Sequence, residues 1–190
     1  MLTPDSLRST FASALPYSAY LATGSPDQQK AWSAFHARVS LTAGQRALIQ
    51  SFTREVNILA SSGTWCGDCV QQMPMLDHIA SANPGVLHLR FIDRDQHKHI
   101  AEQVRICGGL RVPTVLFLNE DFEFLSLYGD KSLSRLRAIA ARSLGASCAV
   151  PGAPVAGDEI AATLQDWVDE CERAHLTARL SPRLRERHAD

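Results

Sequence analysis

The chain has 190 residues, 45% hydrophobic and 21% charged, with a formal net charge of −1. That length suits one globular domain of ordinary size plus an extension, and the composition is that of a soluble protein. The near balance of acids and bases argues against a nucleic-acid footprint or a polybasic membrane anchor, and no run reaches the ~20 apolar residues that span a bilayer.

The first fifty residues read as helical. A segment around residues 4–14 carries Leu7, Phe11 and Ala14 before Pro16 stops it. In "SPDQ", Ser25 is placed as an N-cap, Pro26 at the first helical position and Gln28 as the reciprocal capping partner. Trp32, Phe35 and Val39 follow at near-helical spacing. "TAGQ" (42–45) repeats the box ahead of Leu48, Ile49 and Phe52.

The rhythm then changes. "EVNILAS" (55–61) and "VLHLRFID" (86–93) read as strands, and between them Val70, Met73, Leu76 and Ala80 keep helical spacing. Pro74 falls inside that helix, where the missing N–H should kink it. A polar helix is expected at about 95–105. "TVLFL" (114–118) and "FEFLSLY" (122–128) flank "NED" and predict an antiparallel hairpin. A further helix is expected over 131–144, closed by Gly145.

"GASCAVPGAPVAG" (145–157) has linker composition, and Ile160, Leu164, Trp167, Val168 and Cys171 line one face of a last helix. The basic end, "RLSPRLRERH" (179–188), reads as a solvated tail. The predicted order, strand–helix–strand–helix–strand–strand–helix, is met by an α/β fold in which a parallel βαβ unit joins an antiparallel hairpin under helices.

The chemistry centres on "GTWCGDCVQQMP" (63–74). Five cysteines, Cys66, Cys69, Cys107, Cys148 and Cys171, are too sparse and too odd in number for a disulfide-stapled secreted domain. The N-terminus lacks the basic region and apolar run of a signal peptide, so a cytosolic location is expected. There a CxxC is catalytic or metal-binding rather than structural. The metal reading needs four ligands for a closed zinc site, and one CxxC supplies two. His97 and His99 in "HKH" are better read as solvated.

The pair follows a predicted strand and opens a predicted helix. Unsatisfied N–H groups and the positive helix end there favour thiolate at Cys66, the attacking species. Cys69, one turn on, is within reach to resolve a mixed disulfide. Gly67 leaves the approach open, and Trp65 is a candidate platform beside the sulfurs.

"WCGDC" with Pro74 eight residues beyond Cys66, and "VPT" with Pro113 forty-seven residues beyond it, resembles the thioredoxin superfamily over roughly residues 53–145. The resemblance implies a thioredoxin-like fold with N-terminal (1–52) and C-terminal (146–190) helical extensions. It also implies a cis peptide at Val112–Pro113, with Val112, Pro113 and Thr114 presented to an extended substrate segment. Two departures stand out. Ala60 occupies the position of the buried acid that thioredoxins carry six residues before the first cysteine, and Asp68 replaces the usual proline before the second. A carboxylate there should oppose the thiolate and favour a more reducing couple, and Asp68 is a candidate proton relay.

The expected activity is thiol–disulfide exchange on a protein or small-molecule disulfide. No GxGxxG fingerprint appears, so no cofactor is expected and the electrons must come from a separate reductase. The alternative is a redox-sensitive binding module in which the helical extensions form the partner surface. Cys107, in "CGGLRVP", reads as a loop thiol, Cys171 as core, and "DRD" (93–95) as a cap and turn.

Overall fold

The computed structural model describes residues 2–143 and 157–189. Four helices precede the first strand: α1 (Pro4–Ser13), α2 (Tyr17–Leu21), α3 (Pro26–His36) and α4 (Ala43–Gln50). Each of α1, α3 and α4 starts on a reciprocal box, Thr3–Ser6, Ser25–Gln28 and Thr42–Gln45, in which the cap hydroxyl and the N3 side chain satisfy two otherwise orphaned N–H groups.

The order continues β1 (Val56–Ser62), α5 (Gly67–Ala82), β2 (Leu87–Asp93), α6 (Lys98–Ala101), β3 (Thr114–Leu118), β4 (Phe124–Gly129), α7 (Leu133–Ser143), α8 (Glu159–Arg179) and α9 (Pro182–His188). The strands form one sheet in the order β2-β1-β3-β4. β1 runs parallel to β2 and antiparallel to β3, and β3 pairs antiparallel with β4. This is the expected βαβ unit joined to a hairpin.

Alternation along the central strands divides the core. Ile58 and Ala60 of β1 and Val115 and Phe117 of β3 face one cluster with Trp32, Met73, Ile79, Trp167 and Val168, contributed by α3, α5 and α8. Leu59, Leu116 and Leu118 face the other way, onto Leu7 and Phe11 of α1 and Ile100 of α6. Residues of β1 are buried throughout, as a central strand covered on both faces requires. Helices flanking the βαβ unit in sequence therefore share its two cores. Leu15 pairs with Phe91 by an isolated bridge, so the link from α1 to α2 covers the free edge of β2.

Several expected elements differ in extent. The polar helix at 95–105 contracts to one turn, because Asp93 Oδ1 accepts the N–H groups of Asp95 and Gln96 and holds a turn there. It ends at Ala101, well ahead of the Ile106–Gly109 turn in which Cys107 has φ 48°. β4 starts at Phe124 rather than 122, since Asn119 Oδ1 takes the N–H groups of Asp121 and Glu123 and widens the hairpin turn. Helix α5 continues through Pro74.

The basic tail is not loose. Ser181 caps α9, and Arg183 and Arg187 pair with Glu123 and Asp121 of the hairpin turn. Opposite charge on a neighbouring loop, invisible in the local sequence, organises it. Gly145, Cys148 and the expected linker up to residue 156 lie outside the described residues. Among the described residues no helix is long and apolar enough to cross a membrane.

Candidate dithiol site

β1 ends at Ser62 and α5 begins at Gly67, so the intervening turn delivers Cys66 to the N-cap of a sixteen-residue helix. The Cys66 Sγ accepts the backbone N–H of Cys69 at 3.4 Å and lies 3.5 Å from the carbonyl oxygen of Val112. Both cysteines are free thiols in this structure. Cys66 is half-buried, whereas Cys69 is completely buried beneath it.

Their environments drive the two thiols apart. A hydrogen bond from the Cys69 side chain, assisted by the backbone N–H groups of Cys69 and Asp68 and opposed by partial burial, lowers Cys66 to about 6. The Asp68 charge opposes this, as the sequence suggests, but it is the weakest of these influences. Burial, followed by the hydrogen bond and charge of Cys66, pushes the Cys69 thiol up. Such a pair holds one thiolate near neutral pH, on the accessible sulfur.

The wall opposite Cys66 is the loop before β3. Val112–Pro113 is cis, and Val112 and Pro113 are largely buried. Thr114 is turned inward at 1% exposure, its hydroxyl donating to the Arg111 carbonyl at 2.8 Å. Of the "VPT" residues, Val112 is thus the one placed directly on Cys66. Gly129, opposite Thr114 in the hairpin, closes this corner: a Cβ there would sit 2.2 Å from the Pro113 oxygen, at a φ of +142° that suits glycine alone.

Trp65 is half exposed beside the sulfur, with the Arg94 guanidinium 4.7 Å from its ring centre. Arg94 also donates to the Leu110 carbonyl at 3.1 Å, tying Trp65 to the cis-proline loop. Gly67 has open space around it.

Behind the dithiol, the N-terminal helices hold the turn. The buried indole of Trp32 donates to the Thr64 carbonyl at 2.9 Å, and the Thr64 hydroxyl donates to Gln28 at 3.0 Å. Ala60 is fully buried among apolar side chains. Beside the Cys69 thiol lie the hydroxyls of Ser62 and Tyr20, on residues at most 1% exposed, with the Ser62 side chain facing both Tyr20 and Cys69. Sequence spacing offered no signal that Tyr20, Gln28 or Arg94 would reach the site, since each comes from a distant element.

Asp68 is not a freely solvated carboxylate. One oxygen lies 2.7 Å from Arg135 Nη2 and the other 3.1 Å from Lys131 Nζ. Cys107 is exposed on the turn preceding the cis-proline loop, and Cys171 is fully buried in α8. His97 and His99 remain apart from the cysteines, and among the described residues no three His, Cys, Asp or Glu side chains are grouped to hold a metal ion.

A βαβ unit and hairpin in one sheet, with a helix-capping CxxC facing a cis-proline loop, define a protein of thioredoxin fold. The family model described as Thioredoxin matches residues 14–139, and the chain belongs to that family. No curated protein matches it. Among solved structures it is similar to a protein of unknown function, PA1234 from Pseudomonas aeruginosa, at 22% identity and a TM-score of 0.70, covering 92% of this chain and 99% of that one. An HIV epitope scaffold matches at 22% identity and a TM-score of 0.58, covering 87% and 90%. Mitochondrial thioredoxin 3 from Saccharomyces cerevisiae matches at 22% identity and a TM-score of 0.33, covering 50% of this chain and 86% of that one.

Proposed function

We propose that the protein is a thiol–disulfide oxidoreductase acting as a disulfide reductase, with Cys66 as nucleophile and Cys69 as resolving thiol. The observation that carries this reading is the asymmetry of the pair: an accessible sulfur lowered to about 6 at a helix N-terminus, over a buried partner.

The Cys66 thiolate attacks one sulfur of the substrate disulfide. A Cys66–substrate bond forms, the substrate S–S bond breaks, and the other substrate sulfur leaves as a thiolate that takes up a proton. Cys69 then loses its proton and attacks Cys66 Sγ, which releases the second substrate thiol and closes a Cys66–Cys69 disulfide. Two electrons have passed to the substrate, and a separate dithiol-donating reductase returns them. Val112 lines the approach and offers its backbone to an extended segment, while Trp65 supplies an apolar ledge. A reducing compartment such as the cytosol suits this direction of flow.

The test is reduction of a generic protein disulfide with dithiothreitol as recycling donor. Multiple turnovers are expected, lost in Cys66→Ser, with Cys69→Ser accumulating a mixed disulfide at Cys66. Oxidation-dependent capture of one protein without turnover would instead favour the binding-module reading.

A further inference from the structure

An acid within the CxxC should work against a thiolate two residues away, and the Asp68 charge does oppose that of Cys66. Both Asp68 oxygens are matched by cations from the segment that opens α7: Oδ1 by Arg135 Nη2 at 2.7 Å and Oδ2 by Lys131 Nζ at 3.1 Å. We propose that Arg135 and Lys131 are positioning residues of the redox centre, which neutralise Asp68 and so preserve the nucleophilicity of Cys66. The inference rests on the dithiol reading above and assigns these two side chains a part in it.

The cations are held in place. Arg135 is buried, and its Nη1 contacts Gln71 Oε1 at 2.5 Å and Glu159 Oε1 of α8 at 3.2 Å. Lys131 Nζ also pairs with Asp130 Oδ1 at 2.6 Å. The segment carrying them is fixed to α5 by one buried amide: Gln72 Nε2 donates to the Asp130 carbonyl at 3.0 Å, and Gln72 Oε1 accepts the Ser132 N–H at 3.2 Å. Ser132 in turn accepts the Arg135 N–H. Guanidinium and ammonium therefore meet Asp68 at fixed points, without the entropy loss that weakens exposed pairs.

Every acid in this cluster is ion-paired. Asp68, Asp130 and Glu159 face Lys131, Arg135 and Arg142, the last pairing with Glu159 at 3.2 Å. Arg111 stands 3.8 Å from Asp130, and Cys69 and Tyr20, itself near Asp93, also face Cys66. Removing Lys131 or Arg135 strips Asp68 of one of its two cationic partners, so that more of its negative charge reaches Cys66, two residues away in the chain. That charge disfavours the thiolate. A purely structural clamp between α5 and α7 would lower stability on mutation but leave the thiol unchanged.

The experiment is the pH dependence of Cys66 alkylation by iodoacetamide in the full reduced chain, read at Cys66 by fragment-ion mass spectrometry so that Cys107 and Cys148 do not contribute. Lys131→Met and Arg135→Met should each slow alkylation about three- to tenfold below pH ~6, where a one-unit rise in thiol pKa is a tenfold loss of thiolate. In an Asp68→Asn background, either substitution should change the rate less than about twofold. The proposal is overturned if the folded single variants alkylate at the wild-type rate, or if they slow equally with and without Asp68. Should Arg135→Met not fold, Lys131→Met decides alone, its side chain being 23% exposed. Alkylation requires no disulfide turnover. A protein that reduces no disulfide but shows this charge dependence loses the proposed activity and keeps the present inference.

Discussion

Replacing Trp32 with phenylalanine tests whether the N-terminal helices hold the dithiol turn. Trp32 is completely buried, and its N–H supplies the hydrogen bond to the Thr64 carbonyl, two residues before Cys66. Phenylalanine keeps most of the packing and loses the donor. An unsatisfied buried carbonyl costs about 1–3 kcal/mol, and the missing ring volume adds roughly 1 kcal/mol. The loss of about 2–4 kcal/mol, at a urea m of about 2 kcal/mol/M, moves the unfolding midpoint down by about 1–2 M. Trp167→Phe is the internal control. Trp167 is equally buried, but its indole N–H finds no acceptor among the described residues. That substitution removes an unpaired donor along with the volume, and should cost about 1 kcal/mol or less. Equal midpoints for the two variants would refute the reasoning.

Cys66 should alkylate with a pH–rate midpoint near 6, rising with pH as thiolate forms, and a midpoint above 8 in the folded protein would contradict the hydrogen-bonded assignment of that sulfur. His175 stacks on Phe52, and its Nε2 accepts the Thr53 N–H at 3.1 Å, a bond that requires neutral imidazole. Burial, with Arg179 assisting, holds its pKa below the usual 6.5. Its contribution is therefore present above pH ~6.5 and lost as pH falls through the depressed value, so His175→Gln should flatten the stability–pH slope between about pH 7 and 5 in urea titrations. An undiminished slope would place the acid sensitivity elsewhere. Arg187 pairs with Asp121 at 2.7 Å on the surface, and Arg187→Ala should cost no more than about 1 kcal/mol at low salt and still less at high salt. A larger, salt-independent loss would mean that α9 is held by packing rather than charge.

Sequence alone determined the framework, because local rules govern it. The reciprocal pairs Ser25–Gln28 and Thr42–Gln45 start helices wherever they occur, apolar alternation marks β1 and β3, and two cysteines between a strand and a helix place a sulfur at an N-cap. Proline before "TVLFL" pointed to the loop that the structure brings against Cys66. Where side-chain hydrogen bonds captured the backbone, at Asp93 and Asn119, the elements came out shorter than their apolar pattern suggested. Tertiary structure decided everything carried by long separations. Trp32 reaches Thr64 across 32 residues, Arg135 reaches Asp68 across 67, and Arg183 meets Glu123 across 60. A carboxylate, a guanidinium or an indole N–H has no sequence periodicity that announces its partner. Only the folded chain shows that Asp68 is a neutralised charge rather than a free one, and that helices before the sheet complete the wall behind Cys69.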